Sequence, residues 1–166
     1  MSPPKQRPAR IFAVENHLAR IAGKPGGRKV ADAVKAADER VESVRGASVA
    51  ALGKKAEQLS AAAAACRAAG GQSFDGVYNV SNAIYGVAST FQLTALSQAA
   101  FSLCDLADGF RGGEPVNWPA VDVHVDGIRL LIALGDKAGA AGEEVLGGLR
   151  RVRDRVLGVA TPGAAK

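Results

Sequence analysis

Residues 76–104, GVYNVSNAIYGVASTFQLTALSQAAFSLC, run for 29 positions without Asp, Glu, Lys or Arg, yet Asn79, Ser81, Asn82, Gln92 and Gln98 are spread through them. A stretch of that length raises the question of a membrane. A spanning helix tolerates few amide side chains, however, and here they recur every few residues beside Gly76 and Gly86. Phe74, Val77, Tyr78, Ser81, Ile84, Tyr85, Ala88 and Phe91 step by three and four, the spacing of one face of an α-helix. The stretch therefore reads as buried helix.

The flanking sequence extends the same pattern in both directions. An amphipathic helix is expected over 29–44, with Val30, Ala33, Val34, Ala37, Val41 and Val44 on one face and Lys35, Asp38, Glu39 and Glu42 on the other. Gly46-Ala-Ser is expected to break it, with Ser48 capping a second helix that ends at Gly70-Gly71. Ser73 introduces a third helix over 74–89. A fourth over 93–110 turns Leu96, Ala99, Ala100, Leu103, Cys104 and Leu106 inward and closes at Gly109 and Gly112-Gly113. After a turn over 115–119 come a fifth helix, 121–137, and a sixth, 142–159. Alternation of polar and apolar residues is confined to 121–125, so no strand is expected. Short connections predict an all-α, antiparallel up-and-down bundle.

Composition agrees with that class. Of 166 residues, 48% are apolar and only 5% aromatic, which suits small side chains packed between helices. The net charge of +5 is concentrated in residues 1–28, where Lys5, Arg7, Arg10, Arg20, Lys24 and Arg28 face Glu15 alone. With Pro3, Pro4, Pro8 and Pro25, residues 1–27 read as an extended basic arm, with room for a short helix over 14–22. Residues 28–159 form the expected bundle, and 160–166 a disordered tail. Without interleaved aromatics, a solvated arm is a better reading than one that binds nucleic acid or a membrane surface, which stays as an alternative.

Cys66 and Cys104 form neither a disulfide framework nor a metal pattern, and read as buried thiols. The apolar run 11–14 is too short for a secretory signal, so a cytoplasmic location without a transmembrane segment is expected. Glu143-Glu144 suit a helix start, and Arg150, Arg151, Arg153 and Arg155 a helix end, although four arginines could also bind phosphate or an acidic partner. No catalytic constellation, cofactor motif or metal cluster is evident, so the chain is not expected to be an enzyme.

The segment Asn82-Ala-Ile-Tyr85-Gly86-Val-Ala88-Ser89-Thr-Phe91, with Leu96 and Ser102-Leu103-Cys104 after it, resembles the phosphoacceptor hairpin of histidine phosphotransfer (HPt) domains, especially alphaproteobacterial ones. The resemblance runs from about Lys29 to Leu157 and implies a four-helix core with additional helices. In that family a phosphorylated histidine is followed three residues on by lysine and then glycine. Here Asn82 stands at the histidine position and Tyr85 at the lysine, while Gly86 is kept. An amide whose nitrogen lone pair is delocalised cannot take up a phosphoryl group as imidazole does, and Tyr85 removes the neighbouring cation. The resemblance thus implies a pseudo-phosphotransfer protein of two-component signalling. Its partner would be a response-regulator receiver domain or a histidine kinase, docked on Asn79, Asn82, Tyr85, Gly86, Ser89 and Gln92, with Ala88 adding to the small-residue face. Among the alternatives is an active relay using His124, the one histidine outside the arm.

Overall fold

The computed structural model describes Arg20 and residues 27–159. The expected arm over 1–27, with its helix over 14–22, lies outside the described residues apart from Arg20 and Gly27, as does the tail 160–166. Among the described residues the fold is all-α, with five helices and no strand: α1 Val30–Ala68, α2 Asp75–Thr90, α3 Thr94–Arg111, α4 Trp118–Leu134 and α5 Gly139–Val156, with a 3-10 turn Gly135–Lys137 before the last. By internal contacts the chain divides into two units, Met1–Glu42 and Ser43–Lys166.

In the first unit, the described residues of α1 expose Val30, Val34 and Val41, the face expected to point inward. That expectation is corrected: α1 buries its apolar side chains only from Leu52 onward, through Ala56, Leu59, Ala63 and Cys66. The expected break at residues 46–48 is corrected as well, because α1 is continuous through Gly46 and Gly53. A glycine inside a helix costs about 1 kcal/mol relative to alanine, too little to end a helix whose following turns pack against a core.

In the second unit α3 is central and packs against α2, α4 and α5. Its buried side chains lie on every side, among them Leu96, Ala99, Ala100, Leu103, Leu106, Ala107 and Phe110. The fully buried alanines 88, 99, 100 and 107 let backbones approach closely, while Leu59, Ile84, Leu103 and Ile128 fill the space between them. Each such large apolar side chain contributes about 1.5–3 kcal/mol on burial.

Paired residues give the directions. Arg111, at the end of α3, bonds Asp75 at the start of α2, so these two run antiparallel. Ala95 and Leu131 both border Gly142, while Leu149 lies against Gly127, which sets α4 antiparallel to α3 and to α5. Arg45 reaches Asp136 and Arg67 reaches Asp122, so the part of α1 in this unit also opposes α4. The up-and-down bundle expected from short connections is what forms.

The connections carry recognisable turn chemistry. Gly70 and Gly71, with φ of 67° and 78°, end α1 where the glycine pair predicts. Ser73 Oγ accepts the Asp75 N–H at 3.3 Å. Helix α4 begins earlier than residue 121 because Asn117 is extended and its side chain accepts the Ala120 N–H at 3.0 Å, with Pro119 in the first turn. An aromatic group seals this end: Phe74 sits 5.0 Å from Phe110 and 5.7 Å from Trp118, ring centre to ring centre.

Candidate functional site

Helix α2 is two-faced. Val77, Ser81, Ile84 and Ala88 are buried, and Asn79, Asn82, Gly86 and Ser89, at steps of three, four and three, are exposed. These steps place the exposed four in one stripe along the helix. A side chain built at Gly86 would have its Cβ more than 4 Å from every neighbour, so the stripe is open at its middle. Ala88 lies in the core and so leaves the small-residue face.

Tyr85 leaves the inward set in which the periodicity placed it: it is exposed, its ring 5.6 Å from that of Phe101 on α3, which is also exposed. The two rings, with Gln98, Arg150 and Arg153, border an open hollow of about 330 Å³. Arg153 is engaged there, 3.1 Å from Asp105 and 2.7 Å from Asp154, whereas Arg150 is exposed and makes no ion pair among the described residues. Phe101 and Arg150 are therefore neighbours of Tyr85 that the α2 motif alone does not reveal. The signal for Phe101 lay in the uncharged run itself, a large aromatic one step off the inward set of α3.

Gln92 ends the stripe in a left-handed conformation, φ 59°, in the three-residue link between α2 and α3. The link is held by the Leu93 N–H on the Ala88 carbonyl at 2.9 Å and by Arg45 Nη1 on the Phe91 carbonyl at 3.0 Å. Gln92 is thus exposed at the end of the same surface as Asn79, Asn82, Gly86 and Ser89.

His124 lies elsewhere. It is fully buried between α3 and α4, with Nε2 3.0 Å from Ser102 Oγ and Nδ1 2.7 Å from the Ala120 carbonyl. A carbonyl only accepts, so Nδ1 carries the proton and Nε2 accepts from the serine hydroxyl. Burial, above all, holds the imidazole below its ordinary value of 6.5. Both nitrogens are committed and neither faces solvent.

No protein-family model, curated protein or solved structure matches the chain.

The chemistry within reach of the α2 stripe is hydrogen bonding and packing. An exposed amide donates and accepts, and the Tyr85–Phe101 pair offers apolar area next to the Arg150 cation. Burial raises the thiol of Cys66, and pushes that of Cys104 up to about 11 with the help of Asp105 and Asp108, so both stay protonated. Among the described residues no group of His, Cys, Asp and Glu could hold a metal ion, and no helix is long and apolar enough to cross a membrane.

Proposed function

We propose that the chain is a pseudo-phosphotransfer protein of bacterial two-component signalling, acting in the cytoplasm, that binds a receiver domain or a histidine kinase through α2 and modulates phosphorelay by occupancy. The observation that carries this reading is the open stripe Asn79, Asn82, Gly86 and Ser89, uncharged and centred on a glycine with free space above it. It supports docking by a partner element that packs close to the α2 backbone, and the resemblance of the same residues to the phosphoacceptor hairpin names the class of partner. With an amide at position 82, occupancy replaces transfer. The buried, doubly bonded His124 gives the relay alternative no exposed nucleophile.

The test is binding of a panel of receiver domains and kinase dimerisation domains to the protein and to Gly86→Arg. A Cβ at position 86 meets nothing within 4 Å outside its own helix backbone and the position is exposed, so helical circular dichroism should be unchanged while affinity falls at least tenfold, about 1.4 kcal/mol or more. Binding that survives the arginine, or no binding by any member of the panel, would sink the proposal.

A further inference from the structure

Most arginines of the second unit are neutralised within the fold. Arg45 pairs with Asp136, Arg67 with Asp122, Arg111 with Asp75 and Asp108, Arg129 with Asp126, and Arg153 with Asp105 and Asp154. Besides Arg150, Arg151 and Arg155 break this pattern: both are exposed, and among the described residues neither makes an ion pair. They stand four apart on α5, where two like charges repel by a few tenths of a kcal/mol. The dipole of α5 accounts for Arg155, in the last turn, but it does not extend to Arg151 one turn earlier.

Both line an open groove of about 850 Å³ between the start of α4 and the second half of α5. Its walls are mixed: Val123, Val152, Val156 and Pro119 give apolar surface, and Asn117 and Glu114 line it as well. Val123 is 47% exposed. Gly148 also lines the groove. A Cβ at Gly147 would lie 3.5 Å from Arg151 Nη1, and one at Gly148 4.0 Å from Nη2, ordinary contact distances that place the guanidinium over this pair. Two glycines inside a helix cost about 2 kcal/mol together relative to alanine, a cost that packing within the bundle does not explain.

We propose that this groove binds an acidic peptide segment of a partner protein, with its apolar side chains against Val123, Val152 and Val156 and its carboxylates on Arg151 and Arg155. Charge complementarity selects the acidic ligand, since two unpaired guanidinium groups present forked donors beside Val123, Val152 and Val156, against one carboxylate in the lining, Glu114. Openness selects a peptide over a small molecule, whose surface a binding pocket normally encloses by 70–90%. The groove follows α5 for about 12 Å from residue 148 to residue 156, two helical turns, which suits a partner helix carrying carboxylates one turn apart. No α2 residue lines this groove, so the site is separate from the surface proposed above.

The experiment uses the full chain, isotope-labelled, with a fluorescent twelve-residue peptide in which leucine and glutamate alternate at helical spacing. The control is the same peptide with every glutamate replaced by glutamine. The acidic peptide should bind with a dissociation constant in the micromolar range and shift the amide resonances of residues 114–123 and 148–156. Arg151→Ala with Arg155→Ala should weaken it at least tenfold, while Gly86→Arg leaves it unchanged. Added salt should weaken it further. Equal binding of the glutamine peptide, shifts centred on α2, or no binding overturns the proposal. So does displacement of the same resonances by dodecanoate or an oligonucleotide in place of the peptide, or an arginine-dependent self-association in sedimentation, which would give the groove to a second copy.

Discussion

Ser102 Oγ and His124 Nε2 lie 3.0 Å apart in the interior, joining α3 to α4 by a hydrogen bond between two fully buried side chains. The pair makes the fold sensitive to acid. Burial keeps the folded imidazole below 6.5, with the Ala120 bond opposing that shift and the Arg153 charge adding to it, while the unfolded chain titrates near the ordinary value. Below about pH 6.5 the unfolded state therefore binds the extra proton, and stability falls by up to about 1.4 kcal/mol per pH unit until the folded ring also protonates. Denaturant unfolding between about pH 7.5 and 5.5 should show this slope, and His124→Gln should flatten it while lowering stability at the upper end. Asp105, whose carboxyl burial raises against the opposing pull of Arg153, acts with the opposite sign, because there the folded state keeps its proton longer as pH rises. A slope that persists in His124→Gln would assign the effect to another group.

Gly86→Ala and Gly142→Ala should have opposite signs. At Gly86 the added Cβ meets nothing, so the helix gains alanine's propensity, about 0.5–1 kcal/mol. At Gly142 the Cβ would sit 2.8 Å from that of Ala138 and 3.3 Å from that of Ala95, two atoms fixed to their backbones, so the substitution should cost about 1–3 kcal/mol despite the better propensity. Denaturant midpoints of the two variants decide it. Equal signs would mean that α5 can shift away from α3 at little cost.

Gln92→Gly should stabilise the fold by about 1 kcal/mol. The residue holds φ 59° in the link between α2 and α3, a conformation in which any side chain is disfavoured and glycine is not. The backbone bonds of the link, Leu93 N–H to the Ala88 carbonyl among them, are kept in the variant. A thermal midpoint that does not rise would show that the glutamine side chain contributes as much as the strain removes.

Periodicity made α2 and α3 legible, because most of their inward positions meet a core on the side that the pattern predicts. It misled in α1, where Val30, Val34 and Val41 keep the helical spacing yet remain exposed, since a stripe records which residues can pack and not whether anything arrives to pack on them. Gly46 misled in the same way: its propensity is local, and the continuous turns after it are held by Leu52 and Leu59. Of the candidate surface, the exposure of Asn79, Asn82 and Ser89 followed from their spacing on α2. Phe101 and Arg150 did not, because they reach Tyr85 from α3 and α5, and only the packing of three helices brings them together. Arg151 and Arg155 could be seen as charges, but their lack of partners depends on where every aspartate falls.

Asn82→His with Tyr85→Lys tests whether the α2 surface keeps the geometry for transfer after losing the reactive group. The imidazole would stand where Asn82 is exposed, one turn from Gly86 and free of neighbours that would bury it. The lysine would project beside Phe101, near the Arg150 guanidinium, so positive charge would be available to offset a phosphoryl group. Transfer then requires the ring nitrogen to form an N–P bond as the O–P bond of a receiver's aspartyl phosphate breaks, leaving the carboxylate. Incubation with phosphorylated receivers should give acid-labile label on the double variant, less on Asn82→His alone and none on the unaltered chain. The label should persist when His124→Gln is added, because that ring is enclosed and both its nitrogens are bonded. Should the double variant bind a receiver in a Gly86→Arg-sensitive manner yet take no label, the surface docks a partner without aligning position 82 for attack. Label that disappears with His124→Gln would instead place the acceptor inside the bundle, and the docking surface on α2 would lose its claim to the chemistry.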